Sequence, residues 1–266
     1  MTGSAENTPR LSIVVCAHDE AAHLADCLAT LEFGDELVVL ADKCTDATAE
    51  IARRFTDRVI EGAWDPEGAR RNAAIDACTG DWVLEVDADE RVPEALAREI
   101  RAVINETSHD WHEILVDNYI GGRLVRWGWG ASFGKAAYPG LFKKGVKRWG
   151  PQRVHPALTW TGAKGPMLSN RLDHFVDRNV SDMLKRLDSY TTARAADLRD
   201  TGQIGGFANN LRRFFIRFFK CYVRRKGYRE GGYGFLIALC AGLYPLISHL
   251  KARLEDDAGN PKSGEA

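Results

Sequence analysis

The chain has 266 residues, 45% of them hydrophobic and 27% charged, and a net charge of −1. A chain of that size and composition can bury a full core, most simply as one α/β domain with an appendage, and its charge balance excludes a global polyelectrolyte role. The six cysteines form no close pair, so neither a zinc site nor a disulfide framework is expected and a reduced cytosol suits them.

Met1 to Arg10 is polar and lacks an apolar h-region, so no secretory signal is expected. The first element is the β-branched run Leu11 to Ala17, which leads through His18-Asp19-Glu20 into Ala21, Leu24, Leu28 and Leu31 at helical spacing. The same unit recurs. Glu36 to Ala41 runs into Asp42-Lys43-Cys44-Thr45-Asp46, and Ala47, Ile51, Ala52 and Phe55 continue with helical period, Thr45 being the expected cap. A third strand over Arg58-Val59-Ile60 leads to Asp65-Pro66-Glu67-Gly68, where Pro66 suits a first helical turn and the helix runs to about Ala77. Strands alternating with helices imply a parallel sheet covered on both faces, with ligands bound beyond the carboxyl ends of its strands. Asp42, Asp87 and Asp89 all fall at such ends. The last two close the run Gly80 to Glu90, where side chains at i and i+2 point to one side, so an extended backbone past Val86 would bring both carboxylates onto one hard cation.

Four elements in this order resemble the bacterial family 2 glycosyltransferases, which share the GT-A nucleotide-sugar-binding fold. They are Leu11 to Glu20, Asp42-Lys43-Cys44-Thr45-Asp46-Ala47-Thr48, Gly68-Ala69-Arg70-Arg71-Asn72, and Gly80-Asp81-Trp82 to Asp87-Ala88-Asp89-Glu90-Arg91. Within the family, the closer likeness is to a subgroup related to lipopolysaccharide-core glycosyltransferases. The resemblance implies that Ala17, Glu20, Asp42, Arg71, Asn72 and Asp87 face a nucleotide-sugar donor. It also implies that Asp89 helps to hold a divalent cation, with His174 as a further ligand or a diphosphate contact. Mg²⁺ or Mn²⁺ suits such oxygen donors.

Pro93 starts a helix carrying Leu96, Ile100, Val103 and Ile104. Trp111 to Ile120, Gly121-Gly122 and Arg123 to Trp127 then read as a hairpin, because a glycine pair supplies the positive φ angles of a tight turn. Trp127, Trp129, Phe133, Tyr138, Phe142, Trp149 and Trp160 follow; rings of this kind stack on sugar faces, and they also fill cores. Trp149 to Pro156 corresponds to a Val-His-Glu segment of many relatives, with Pro156 in the place of the glutamate. That leaves His155 as the candidate general base for the acceptor hydroxyl, with Asp117 and Glu113 on the hairpin as alternatives. Leu172-Asp173-His174-Phe175 resembles the Leu-x-His that precedes the helical tail in this family, with Asp173 or a backbone carbonyl expected to orient the His174 ring.

From Ser181 the pattern is helical, with Ser181-Asp182 as the expected cap. Leu211 to Lys226 mixes bases with large apolar residues and contains no acid, a composition suited to an anionic membrane surface, with a packed helical pair and nucleic-acid binding as the rival uses. Tyr233 to Ile247 is apolar throughout but shorter than the roughly 20 residues that span a bilayer, which predicts an interfacial or re-entrant segment.

The expected organisation is a catalytic domain over 1–176, a helical membrane-associating region over 177–253 and a polar tail over 254–266. The expected activity is metal-dependent, inverting transfer from a nucleotide-diphosphate sugar to a lipid-linked or envelope-glycan acceptor at the cytoplasmic membrane face, with no nucleic-acid partner. A nucleotidyltransferase is the rival enzyme, disfavoured because no Gly-rich phosphate loop follows Leu11 to Ala17; a degenerate transferase acting as a membrane scaffold is the non-enzymatic rival.

Overall fold

The computed structural model describes residues 8–130, 132–153 and 156–255. Its chain divides into two compact units, one of Met1–Leu124 and Ala136–Val176, the other of Val125–Lys135 and Asp177–Ala266.

The first unit is built on a nine-stranded sheet among the described residues. β1 (Leu11–Ala17), β2 (Glu36–Asp42), β3 (Val59–Gly62) and β4 (Trp82–Asp87) are parallel in the order β3-β2-β1-β4, joined by α1 (Leu24–Leu28), α2 (Thr48–Ala52) and α3 (Glu67–Ala77). After β4 come the short strand β5 (Glu90–Arg91), α4 (Glu94–Glu106), β6 (Trp111–Ile120), β7 (Arg123–Val125), β8 (Ala137–Lys143), β9 (Lys147–Trp149), β10 (Leu158–Trp160) and β11 (Arg171–Asp177). The sheet continues from β4 as β8-β6-β11-β5, with β7 paired to β6, and β8 runs antiparallel to both β4 and β6. Parallel strands require crossovers and antiparallel ones accept hairpins, so the change in chain character after α4 is also the change in sheet direction. This is the mostly parallel, helix-flanked, GT-A-like sheet that the resemblance implied.

Both faces are packed. Leu11, Ile13, Val15, Leu84 and Val86 meet Leu24, Leu28, Leu96 and Ile100 on one side; Val14, Leu40 and Val83 meet Ala74, Ile75 and Phe142 on the other. Gly121 and Gly122 have φ of 56° and 81° at the β6–β7 turn, the left-handed pair expected there. One local expectation is corrected. Thr45 does not cap α2; the Asp46 carboxylate accepts from Thr48 N instead, because Asp46 stands closer to the helix. In the aromatic segment Phe142 is fully buried and Trp160 stacks on Trp111 at 4.3 Å, the core-filling use of such rings.

The second unit is helical: α5 (Val180–Asp200), α6 (Phe207–Phe219), a π-helical turn over Lys220–Arg224, a 3₁₀ turn over Gly227–Glu230, and α7 (Gly232–Leu254). Asn179, rather than Ser181, caps α5 by accepting from Asp182 N at 2.9 Å. Trp129 and Phe133 are buried within this unit. The apolar segment is longer than its sequence suggested. Regular helix continues from Ile247 through Ser248, His249 and Lys251, giving 23 residues, enough by length and composition to cross a bilayer, although 56% of its most apolar window is buried in the protein. The polar tail expected from 254 onward lies outside the described residues beyond Glu255.

Candidate active site

The loops that follow β1 and β2 lock together through carboxylates. Asp19 accepts from Thr45 N at 2.6 Å and Asp46 N at 3.3 Å, while Asp46 accepts from Ala21 N at 3.0 Å and Glu20 N donates to Thr48 Oγ1 at 2.8 Å. The Thr45 N–H bond for Asp19, and for Asp46 the Thr48 hydroxyl together with backbone N–H groups, favour the ionised acids and hold both below the usual carboxylate range. Ligand atoms of Asp19, Cys44 and Asp46 lie within 4.8 Å of one another, but both carboxylates are already engaged in joining the loops.

The Gly68 to Asn72 motif begins α3, and its side chains have separate tasks. A Cβ at Gly68 would lie 2.0 Å from the Gly150 carbonyl oxygen, so only glycine lets α3 approach that segment. Asn72 fixes the same segment, donating to Trp149 O at 2.9 Å and accepting from Trp149 N at 3.0 Å. Its amide, expected near the donor, is thus engaged with backbone. Arg70 lies 3.5 Å from the Asp42 carboxylate, which also accepts from Trp64 N at 2.9 Å. Arg71 reaches Asp87 at 3.0 Å and Glu67 at 2.9 Å, with its guanidinium over the Trp149 ring at 4.9 Å.

β4 ends at Asp87, and Ala88-Asp89 turns the chain into β5. The extended geometry expected past Val86 therefore stops one residue later. The buried Glu90 carboxylate accepts from Asp87 N at 2.8 Å, and Arg91 donates to the carbonyls of Ala88 and Glu90 at 3.1 and 2.8 Å. These two residues shape the turn that presents Asp89. Antiparallel pairing of β5 with β11 sets His174 opposite Glu90, and Phe175 N donates to Asp89 O at 2.9 Å. The His174 ring then bridges Asp89 (Nε2 to Oδ2, 3.2 Å) and Asn118 (Nδ1 to Oδ1, 2.8 Å). Asn118, not Asp173, orients it.

Residues 12–114 match the sequence family described as glycosyl transferase family 2. Over that stretch the chain is similar to the family 2 glycosyl transferases. Over 256 residues it is 24% identical to the lipopolysaccharide core biosynthesis glycosyltransferase LpsC of Rhizobium meliloti, covering 91% of each chain. It is similar to the crystal structure of S. aureus TarS 1–349 in complex with UDP-GlcNAc (13% identity, TM-score 0.48, 89% of this chain and 81% of that one). It is also similar to Mycobacterium tuberculosis glucosyl-3-phosphoglycerate synthase in complex with Mn²⁺ and UDP (21% identity, TM-score 0.37, 44% of this chain and 47% of that one).

The electrostatics of the site concentrate on Glu20. Burial, reinforced by repulsion from Asp89, Asp87 and Asp46, pushes its carboxyl up to about 7. An acid raised above its ordinary 4.5 contributes stability that is complete below 4.5 and is lost as pH climbs through about 7. In the presence of a chelator, Glu20→Gln should therefore unfold at a higher temperature than the wild type at pH 8, and the two should coincide at pH 4.5. Thermal unfolding at the two pH values checks this; equal unfolding temperatures at pH 8 would mean that Glu20 bears no such repulsion.

Among the other residues that the sequence singled out, Ala17 ends β1, buried, and its carbonyl accepts from Cys44 Sγ at 3.6 Å. Asp117 is buried and paired with Arg171 at 3.3 Å, while its neighbour Asn118 serves His174, since successive strand residues face opposite ways. Asp117 thus stands apart from the Asp89–His174 pair. His155 lies outside the described residues. Sequence reasoning missed Asn118, Glu85 and Lys147: an asparagine or a lysine inside a strand pattern carries no local mark of its partner across the sheet.

Proposed function

We propose that the chain transfers a sugar, with inversion, from a nucleotide-diphosphate sugar to a lipid-linked or cell-envelope glycan acceptor, lipopolysaccharide core among the candidates, at the cytoplasmic face of the membrane. The observation that carries the reading is the carboxylate group beyond the parallel strands: Asp87 held by Arg71, Asp89 held by His174, and Glu20 raised by burial and by their charge. Oxygen donors that repel one another fit a hard divalent cation, Mg²⁺ or Mn²⁺, with Asp89 and Asp87 as its holders and His174 beside them. When bound, such an ion neutralises charge that grows on the departing diphosphate.

The residues of the chain supply the rest. Arg71 offers a guanidinium next to Asp87, suited to a phosphate oxygen, and Asp42 with Glu20 faces the nucleoside end of the donor. A base takes the proton of the acceptor hydroxyl as that oxygen attacks the anomeric carbon in line with the leaving diphosphate. His155 and Asp117 are the candidates for it. His155→Ala should lower kcat more than it weakens donor binding, with Asp117→Asn as the matched comparison. Unchanged turnover in His155→Ala with lost turnover in Asp117→Asn would assign the base to Asp117.

Incubation with a panel of nucleotide sugars, with metal added and then chelated, tests the whole reading. Metal-dependent release of nucleoside diphosphate from one sugar donor is the expected result. Pyrophosphate release from nucleotide triphosphates would favour a nucleotidyltransferase, and inertness toward every donor would favour the scaffold that Pro156 in place of glutamate suggests.

A further inference from the structure

Two residues before Asp87 on the same strand, and therefore on the same face, Glu85 is a second carboxylate, 4% exposed. Its partner is Lys147 on β9, 1% exposed, whose ammonium contacts Glu85 Oε2 and donates to Pro139 O at 3.0 Å. Three rings surround that ammonium: Trp149 at 4.5 Å, Phe142 at 4.9 Å and Trp160 at 5.5 Å. Burial pulls the Lys147 amine below its ordinary range, opposed by Glu85.

A salt bridge this deep is poorly explained as a source of stability, because desolvation of both ions offsets their attraction. Its other contacts point to a different use. The second oxygen of Glu85 accepts from the Trp149 indole N–H at 3.0 Å and lies 4.0 Å from Arg71 Nη1, the same nitrogen that reaches Asp87 at 3.0 Å. Charges alternate along this line: Lys147, Glu85, Arg71, Asp87. Without Lys147, Glu85 would be a buried carboxylate drawing Arg71 inward, away from Asp87. Without Glu85, the Lys147 and Arg71 cations would repel, and Trp149 would lose the bond that keeps its ring under the guanidinium.

We propose that Glu85 and Lys147 are positioning residues that set the Arg71 guanidinium against Asp87, and so fix the end of the site where the donor diphosphate binds. This rests on the donor reading above. The test measures binding of ADP, CDP, GDP and UDP by calorimetry to wild-type protein, Glu85→Gln, Lys147→Met, the paired variant carrying both changes, Arg71→Ala, and Arg71→Ala combined with Glu85→Gln. The paired variant removes both charges at similar volume, so it folds even where a single change leaves an orphaned ion. Thermal unfolding verifies this.

Glu85→Gln and the paired variant should each weaken the bound nucleotide by about tenfold or more, and Glu85→Gln should add almost nothing in the Arg71→Ala background, because the pair acts through Arg71. A loss of equal size in both backgrounds, or folded variants that bind like the wild type, would overturn the inference alone. Wild-type protein that binds none of the four nucleotides would overturn the donor reading and this inference with it.

Discussion

Asp89→Ala and Asp87→Ala should each lose about 10²- to 10³-fold in turnover, the loss expected when one preorganised electrostatic group is removed from a reacting centre. Neither side chain is core: Asp87 and Asp89 side chains are 28% and 30% exposed, so truncation leaves no cavity and the unfolding temperature should stay close to that of the wild type. The two variants should still differ in kind. Asp87→Ala releases Arg71, whose remaining carboxylate neighbours are Glu67 and Glu85, and so disturbs the proposed donor end directly. Asp89→Ala leaves that pair intact and frees His174 on its Asp89 side, with its bond to Asn118 kept. Donor affinity should therefore fall more in Asp87→Ala, and metal dependence should change more in Asp89→Ala. Steady-state turnover at saturating donor across a range of Mg²⁺ and Mn²⁺ concentrations checks both points; near-normal turnover in both variants, with metal still required, would remove the pair from the reaction.

How much of this is legible in the sequence depends on how far each contact reaches along the chain. The alternation of β1 to β4 with their helices is legible because period-2 and period-3.6 patterns are local, and the sites at strand ends follow from that topology. The Gly68 to Asn72 motif is visible as a unit, but not the separate tasks of its members. That Gly68 is bare to admit Gly150, and that Asn72 clasps the Trp149 backbone 77 residues away, needs the path of a β-hairpin that no spacing encodes. The Asp-x-Asp expectation shows the opposite error. Period-2 reasoning reaches one residue too far there, because Glu90 and Arg91, which bend the chain at Ala88-Asp89, read as ordinary polar residues. Likewise the unbroken apolar run understates α7, which proceeds through Ser248, whose hydroxyl is satisfied on Tyr244 O, and His249, whose ring meets Ile204 O.

At low salt the protein should sediment with vesicles containing anionic lipid, and less with neutral ones, through α6 and the turn after it. On these segments Phe215, Ile216, Phe219 and Val223 are exposed, 42% to 61%, and they share one arc of the helix with Arg212 among them. Arg213, Lys220 and Arg224, also exposed, lie along one flank of that arc. An apolar stripe with bases beside it fits an in-plane helix at a charged lipid surface, each nearby base adding about 1 kcal/mol of attraction. The structure also separates these bases from two that a sequence-based choice would include. Arg217 stacks on Tyr244 at 5.5 Å and Arg225 lies beside Cys221 at 3.8 Å, so both belong to the packing of the helical unit. The informative variant is therefore Arg212→Gln, Arg213→Gln, Lys220→Gln and Arg224→Gln together, which should release the protein from anionic vesicles without lowering its unfolding temperature. Phe215→Ser with Phe219→Ser should weaken binding to anionic and neutral vesicles alike, because it removes buried apolar area instead of charge. Salt should weaken the wild type and spare the residual binding of the Gln variant, since screening acts over about 8 Å at physiological ionic strength on exposed charges only. Wild-type protein that ignores anionic vesicles at low salt and stays monodisperse without detergent would show that the α6 face serves something other than a lipid surface.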